Sequence, residues 1–318
     1  MSEKSSIKVQ GTPKKSKTDE FFGVILSLIT QLIWTINGIC LKYFLNHYRT
    51  IFKNKTYLFP RGLTTILISI LLGKIKDGKI HSFNSFNPTA QKCILAKANL
   101  SFFAMCFWTI AVSHLRITTC QVISSLSPIL VITFSVFLLK EKFNIRYFFG
   151  ILCGTVGSVI IILDEKKIQE GKIDPNIKDY IIGVISIIMN VVFQSLNNIA
   201  GKYMAQRVSI YSQMFYLGIV HCTYSFLWML FTWDFDYTVE YFFMSGLQSV
   251  LFFLGNIFYN WSLTKISMSK YSVLQYSKFV ITFILGYSVL EEEILMNDML
   301  GTTIIGGFMI YNIMFPIK

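Results

Sequence analysis

Apolar residues run along this chain in ten long stretches, near 21–45, 57–73, 94–113, 118–139, 145–163, 180–201, 209–231, 241–263, 270–290 and 295–315. A helix crossing the hydrocarbon core of a bilayer needs about 20 mostly apolar residues, so each stretch predicts one spanning helix. The second is the least regular, because Pro60 and Arg61 fall in its first turn. Proline is tolerated there, since its missing N–H would have no helical partner. Polar residues recur at helical spacing inside several stretches. The sixth carries Ser186, Asn190, Gln194, Asn197 and Gly201, and the ninth carries Tyr271, Gln275, Lys278, Thr282 and Gly286. The first carries Thr30, Gln31, Trp34, Asn37 and Gly38. Such stripes belong against other helices or a wet cavity, not against lipid.

The stretches repeat. Shifting the first onto the sixth by 160 positions matches Gly23-Val24-Ile25 with Gly183-Val184-Ile185, Asn37 with Asn197, Ile39 with Ile199 and Lys42-Tyr43 with Lys202-Tyr203. Later stretches match at 151: Phe107 with Phe258, Val122 with Val273, Glu141 with Glu292 and Gly150 with Gly301. The expected organisation is a basic disordered arm at 1–20, a five-helix half at 21–163, a charged linker at 164–179, and a second half with a short tail at 180–318. Five is odd, so the second half should enter the bilayer upside down. The expected fold is therefore an all-α membrane protein of ten transmembrane helices in two inverted five-helix repeats, the plan of secondary transporters.

Composition agrees. Of 318 residues 53% are hydrophobic and 14% charged, against about 25% charged in soluble domains, which excludes a pair of ordinary soluble domains. The net charge of +12 would on a soluble protein suggest nucleic acid. Here, with the N-terminus inside, inner segments hold sixteen Lys and Arg and outer loops eight. That positive-inside bias predicts both termini in the cytosol and no nucleic-acid partner. Five basic residues remain inside the runs: Lys42, Arg61, Lys97, Lys202 and Lys278. The first run is too long for a signal-peptide core. Six scattered cysteines suggest neither disulfides nor a metal site. No cofactor, phosphate loop or catalytic constellation is expected, so neither an enzyme nor an ATP-driven pump is predicted from this chain.

Residues 117–163 resemble the signature region of the drug/metabolite transporter superfamily in its EamA-like form, related to the nucleotide-sugar and triose-phosphate carriers. Ser127-Pro128, Glu141, and Gly150, Gly154 and Gly157 stand in the places of that pattern, and Arg61-Gly62 resembles the basic residue of its second helix. GYSVLEE at 286–292 resembles a second copy, although Phe279 replaces the proline. The resemblance implies a ten-helix carrier. A lysine occupies a place like that of Lys278 in the triose-phosphate and nucleotide-sugar branch.

A lysine mid-run costs about 2.5–3.5 kcal/mol on insertion scales and is read as functional. Lys278 is expected to bind an anionic group, with Gln275, Tyr271 and Thr282 beside it; pairing with a buried acid or helix carbonyls is the competing account. The matching face of the fourth run offers Ser124 and Ser127. Gln31, Trp34, Asn37, Asn190, Gln194 and Asn197 complete the expected substrate-contacting set. Lys42 and Lys202, in the last turns of their helices, are expected to snorkel and face helix carbonyls. Arg61 is expected at the outer mouth, Pro128 as a structural residue, and Glu141 and Glu292 as loop or gate fixtures. Tyr241 and Trp108 are expected as interfacial residues. Small-xxx-small patterns at Gly150/Gly154 and Thr302/Gly306 imply close packing, within the monomer or in a homodimer. The expected partners are thus the bilayer and a small polar metabolite, with anions favoured by the cationic second half. The alternative is a non-transporting scaffold of the same fold.

Overall fold

The computed structural model describes residues 17–47, 58–78, 83–115, 117–124, 126–139, 177–205, 207–232 and 239–290, with isolated positions between 149 and 160 and between 299 and 307. Among these residues the protein is all-helical. Six helices are long and apolar enough to span a membrane: α1 (Lys17–His47), α2 (Leu58–Asp77), α3 (Pro88–His114), α6 (Ile177–Met204), α7 (Ile210–Thr232) and α8 (Val239–Lys265). The fifth and tenth runs, with Glu141, Glu292 and the small-xxx-small patterns, lie almost wholly outside the described residues.

The fourth and ninth runs do not form single helices. Each is broken, into α4 (Ile117–Ser124) and α5 (Ser127–Leu139), and into α9 (Met268–Leu274) and α10 (Ser277–Leu290). The first break has a local cause, because Pro128 in the first turn of α5 has no N–H to offer the Ser124 carbonyl one turn back. The second has none in Phe279. There Gln275 ends α9, its N–H bonded to the carbonyls of Tyr271 and Val273, and the chain restarts two residues later.

Local chemistry sets the other ends. Asn87 accepts from the N–H of Ala90 at 2.8 Å and Pro88 follows, so α3 starts earlier than the apolar run suggests. Gly78, at φ 72°, closes α2 after Lys74 and Lys76. Helix α1 begins at Lys17, inside the expected arm, because Asp19 and Glu20 in its first turn pair with Lys265 and with Lys270, the latter at 2.6 Å.

Helix starts repeat as the residue identities did. The α1/α6 starts are 160 residues apart, α2/α7 152, α3/α8 and α4/α9 151, and α5/α10 150. Contacts repeat too. A Cβ built on Gly23 would lie 2.8 Å from Ile266, and one on Gly183 would lie 2.6 Å from Leu115, the position 151 earlier. Glycine is needed at both, since each lets a helix lie against the end of another. Lys42 Nζ donates to the carbonyls of Val112 (2.7 Å) and Leu115 (2.8 Å), and Lys202 Nζ to those of Leu263 (2.6 Å) and Ile266 (2.7 Å). The carbonyls they satisfy belong to the C-terminal ends of α3 and α8, not to their own helices. Asp19 pairs with Lys265, and its counterpart Asp179 lies 4.0 Å from His114. These contacts put the end of α6 beside the start of α1, so the equivalent helices run in opposite directions.

Many polar side chains are buried beside the apolar core, while large apolar ones lie on the surface. Ser27, Thr30, Ser195, Asn198, Ser249 and Gln248 are buried, whereas Phe137 is 75% and Phe231 94% exposed. A lipid surround explains that inversion. Tyr241, expected as an interfacial residue, is instead buried against Leu41 and Leu58, with Trp108 beside the same cluster.

Candidate functional site

Five of the twelve expected substrate-contacting residues, Gln31, Trp34, Gln194, Tyr271 and Gln275, converge where α1, α6, α8 and α9 meet. Gln31 on α1 donates from Nε2 to the hydroxyl of Tyr271 on α9 at 3.0 Å, and the Gln275 side chain reaches the same hydroxyl. Tyr271 packs edge-on to Tyr259 at 5.1 Å between ring centroids, and Tyr259 packs on Trp34 at 5.3 Å. The Tyr259 hydroxyl donates to the Asn198 backbone carbonyl at 3.1 Å and lies 3.3 Å from its Oδ1, which also accepts from Gln194 Nε2 at 3.3 Å. Two glycines make the approach possible. Gly201 lies against the Tyr259 ring, and Gly255 leaves space that the Trp34 indole fills.

This aromatic and amide cluster is buried but not saturated. Among the described residues Trp34 Nε1, Asn37 Oδ1, Asn197 Oδ1, Asn198 Nδ2 and Thr282 Oγ1 have no hydrogen bond. Asn37 and Asn197 are repeat mates with the same orphaned atom. Unmade polar groups in a dry interior cost about 1–3 kcal/mol each, so orphaned atoms on Trp34 and Asn198, both in contact with the Tyr259 ring or hydroxyl, suit a polar ligand with an apolar face.

Other expected residues lie differently. Ser127 opens α5, 3.2 Å from the Ser195 hydroxyl of α6, and Ser124 bonds to Cys120 of its own helix at 2.7 Å. Asn190 turns away to α3 and donates to the Ala104 carbonyl at 2.7 Å. Lys278 is the second residue of α10, half-buried at the break. Pro128 is buried in the first turn of α5, and Arg61 is fully buried in α2 rather than at an open mouth. Lys42 and Lys202 are structural caps, as the bonds above show. Tyr259 and Asn198 lie outside the expected set. Their signal was present in Asn256, Tyr259 and Asn260 on one face of α8 and in Asn198 beside the expected stripe of α6.

The broken helices cross, with α5 packed on α9 and α4 on α10. Each break puts helix ends inside the bundle, with turn bonds such as Leu126 N–H to Ile123 O (3.1 Å) and Tyr276 N–H to Val273 O (3.2 Å) bridging them.

Apolar spans, buried polar side chains and two matched broken helices define a multi-pass membrane protein built as two related halves. The profile of the EamA-like transporter family matches residues 21–163 and again 181–313, and the chain belongs to that family. A solved crystal structure of another protein superposes with a TM-score of 0.66 at 14% identity, over 92% of this chain and 96% of its own. That likeness is one of fold. The comparison with curated proteins finds no match.

Proposed function

We propose that this protein is a secondary carrier moving a small polar metabolite by alternating access, through ten spans in two inverted five-helix halves with both termini cytosolic. The observation that carries the reading is the pair of helix breaks at matched positions, one beside the unsaturated cluster of Gln31, Trp34, Asn198, Tyr259 and Tyr271. Discontinuous helices at a repeat interface are where secondary transporters bind cargo. The family and the opposed direction of α1 and α6 support the same reading, and the loop charges support the orientation. Lys278, beside the second break, offers a cation to an organic anion or a phosphorylated metabolite.

The test is a flux assay on the purified chain in proteoliposomes preloaded with a metabolite pool. Saturable uptake of a pool member without ATP is expected, and Lys278→Ala should slow uptake of anions by about tenfold or more, as removing one buried charge partner does. Wild-type uptake by that variant would remove Lys278 from the mechanism. Absence of flux, with a partner protein co-purifying stoichiometrically, would favour the scaffold reading instead.

A further inference from the structure

The two halves place one cation and one amide at matched positions, but with the residue kinds exchanged. Arg61 is the fourth residue of α2 and Gln213 the fourth of α7; Lys97 is the tenth of α3 and Gln248 the tenth of α8. On the α3–α7 side the pair closes on itself. Lys97 Nζ donates to Gln213 Oε1 at 2.7 Å, and Gln213 Nε2 donates to the carbonyls of Val208 at 2.8 Å and Met204 at 3.5 Å.

On the α2–α8 side the amide is left open. The Arg61 guanidinium lies 4.1 Å over the Phe252 ring, and its carbonyl accepts from the Ser249 hydroxyl at 2.9 Å, which holds α2 against this stretch of α8. Gln248 stands one turn before Phe252 on the same face. It is 2% exposed, yet neither its Oε1 nor its Nε2 is hydrogen-bonded among the described residues. Ser245 Oγ, one turn before Ser249, and His221 Nε2, within electrostatic reach of Arg61, are likewise buried and unbonded. Buried polar groups are hydrogen-bonded in the great majority of cases, and each exception asks for a reason. Four orphaned atoms on three buried side chains, where the twin pair Lys97–Gln213 is bonded, ask for a ligand.

We propose that Gln248, Ser245, His221 and Arg61 form a binding site for the acidic group of a small ligand, a carboxylate or a phosphate. The planar guanidinium fork suits the oxygens of either group. Gln248 Nε2 and the Ser245 hydroxyl supply neutral donors, and Gln248 Oε1 accepts from a hydroxyl or amine beside the acid. This deepens the carrier reading, on which it rests only for calling that ligand the cargo. The site is built on α2, α7 and α8 and so lies on different helices from Lys278.

The test is thermal unfolding of the purified full-length chain, titrated separately with inorganic phosphate and with succinate, using choline chloride as the ionic-strength control. A saturable rise in Tm with at least one of the two anions, beyond the chloride control, is expected, and which anion acts names the acid. Gln248→Met should raise the anion-free Tm, because it removes two orphaned atoms, and weaken half-saturation by about tenfold, 1.4 kcal/mol. Gln213→Met should do the reverse, lowering the anion-free Tm and leaving half-saturation unchanged. No shift beyond chloride, or unchanged half-saturation in Gln248→Met, would overturn the site. Binding without flux would overturn the carrier reading and leave this site standing; flux with no response to either anion would do the opposite.

Discussion

At the scale of single residues, the interior is organised by side-chain polar atoms that find partners from another helix, and by those that do not. The Gln31–Tyr271 bond joins α1 to α9 over 240 positions of sequence. Tyr271→Phe keeps the ring against Tyr259 and removes the acceptor, which leaves the Gln31 amide buried without it. The expected cost is about 1–3 kcal/mol, read as a lower Tm in detergent, with a higher KM in flux if the hydroxyl also meets cargo. Replacing Gly255 by Val should be worse for the site. Its side chain would claim the space of the Trp34 indole, and overpacking of this kind costs about 1–3 kcal/mol. Loss of Trp34 fluorescence anisotropy, or a shift in its emission, would report the displaced ring. Much of this cluster was legible, because helical spacing put Gln31, Trp34, Gln194, Tyr271 and Gln275 on inward stripes. Asn190 lay on such a stripe yet bonds to α3, since spacing tells which way a residue faces and not which helix stands there.

At the scale of elements, the lysine caps and the helix breaks repeat from one half to the other. Lys42 and Lys202 were visible as repeat mates 160 residues apart, and their favourable contact with helix carbonyls was foreseeable. That the carbonyls belong to α3 and α8 was not, because a backbone acceptor leaves no mark in sequence. Substituting either lysine by Met should strand two carbonyls and lower stability by about 1–3 kcal/mol. The two variants should lose similar amounts, since the bonds are matched pair for pair. Unequal loss in thermal unfolding would mean that the halves use these caps differently. The breaks were half legible. Pro128 announces the first, whereas the second follows from burial of Met268–Ser277 apart from half-buried Lys270 and from the turn at Gln275, which are tertiary effects that a run of apolar residues conceals.

At the scale of the whole molecule, the apolar runs and the duplication were plain in sequence because membrane spanning and helical period impose them on every residue. The six long helices fall within a few residues of the expected runs, apart from α3, whose Asn87-Pro88 start lies six residues earlier. An alternating-access carrier built this way should show trans-stimulation. Cargo loaded on the far side should accelerate uptake of labelled cargo, and unchanged uptake would point to a uniporter whose empty form returns as fast as the loaded one.

The matched contacts at the two ends have a further consequence. In a duplicated carrier of opposed halves, the outward- and inward-facing forms are nearly one form turned over, so residues shared by the twins contribute equally to both and cancel. The resting balance is then set by the positions where the copies disagree. Here these include Asp19 with Lys265 against Asp179 with His114, Lys97 with Gln213 against Arg61 with Gln248, and Pro128 against Phe279. A difference of 1.4 kcal/mol between twins shifts the occupancy ratio about tenfold. Substitutions that make unlike twins alike should therefore move the population of the two forms more than changes at the identical positions, which act on both alike.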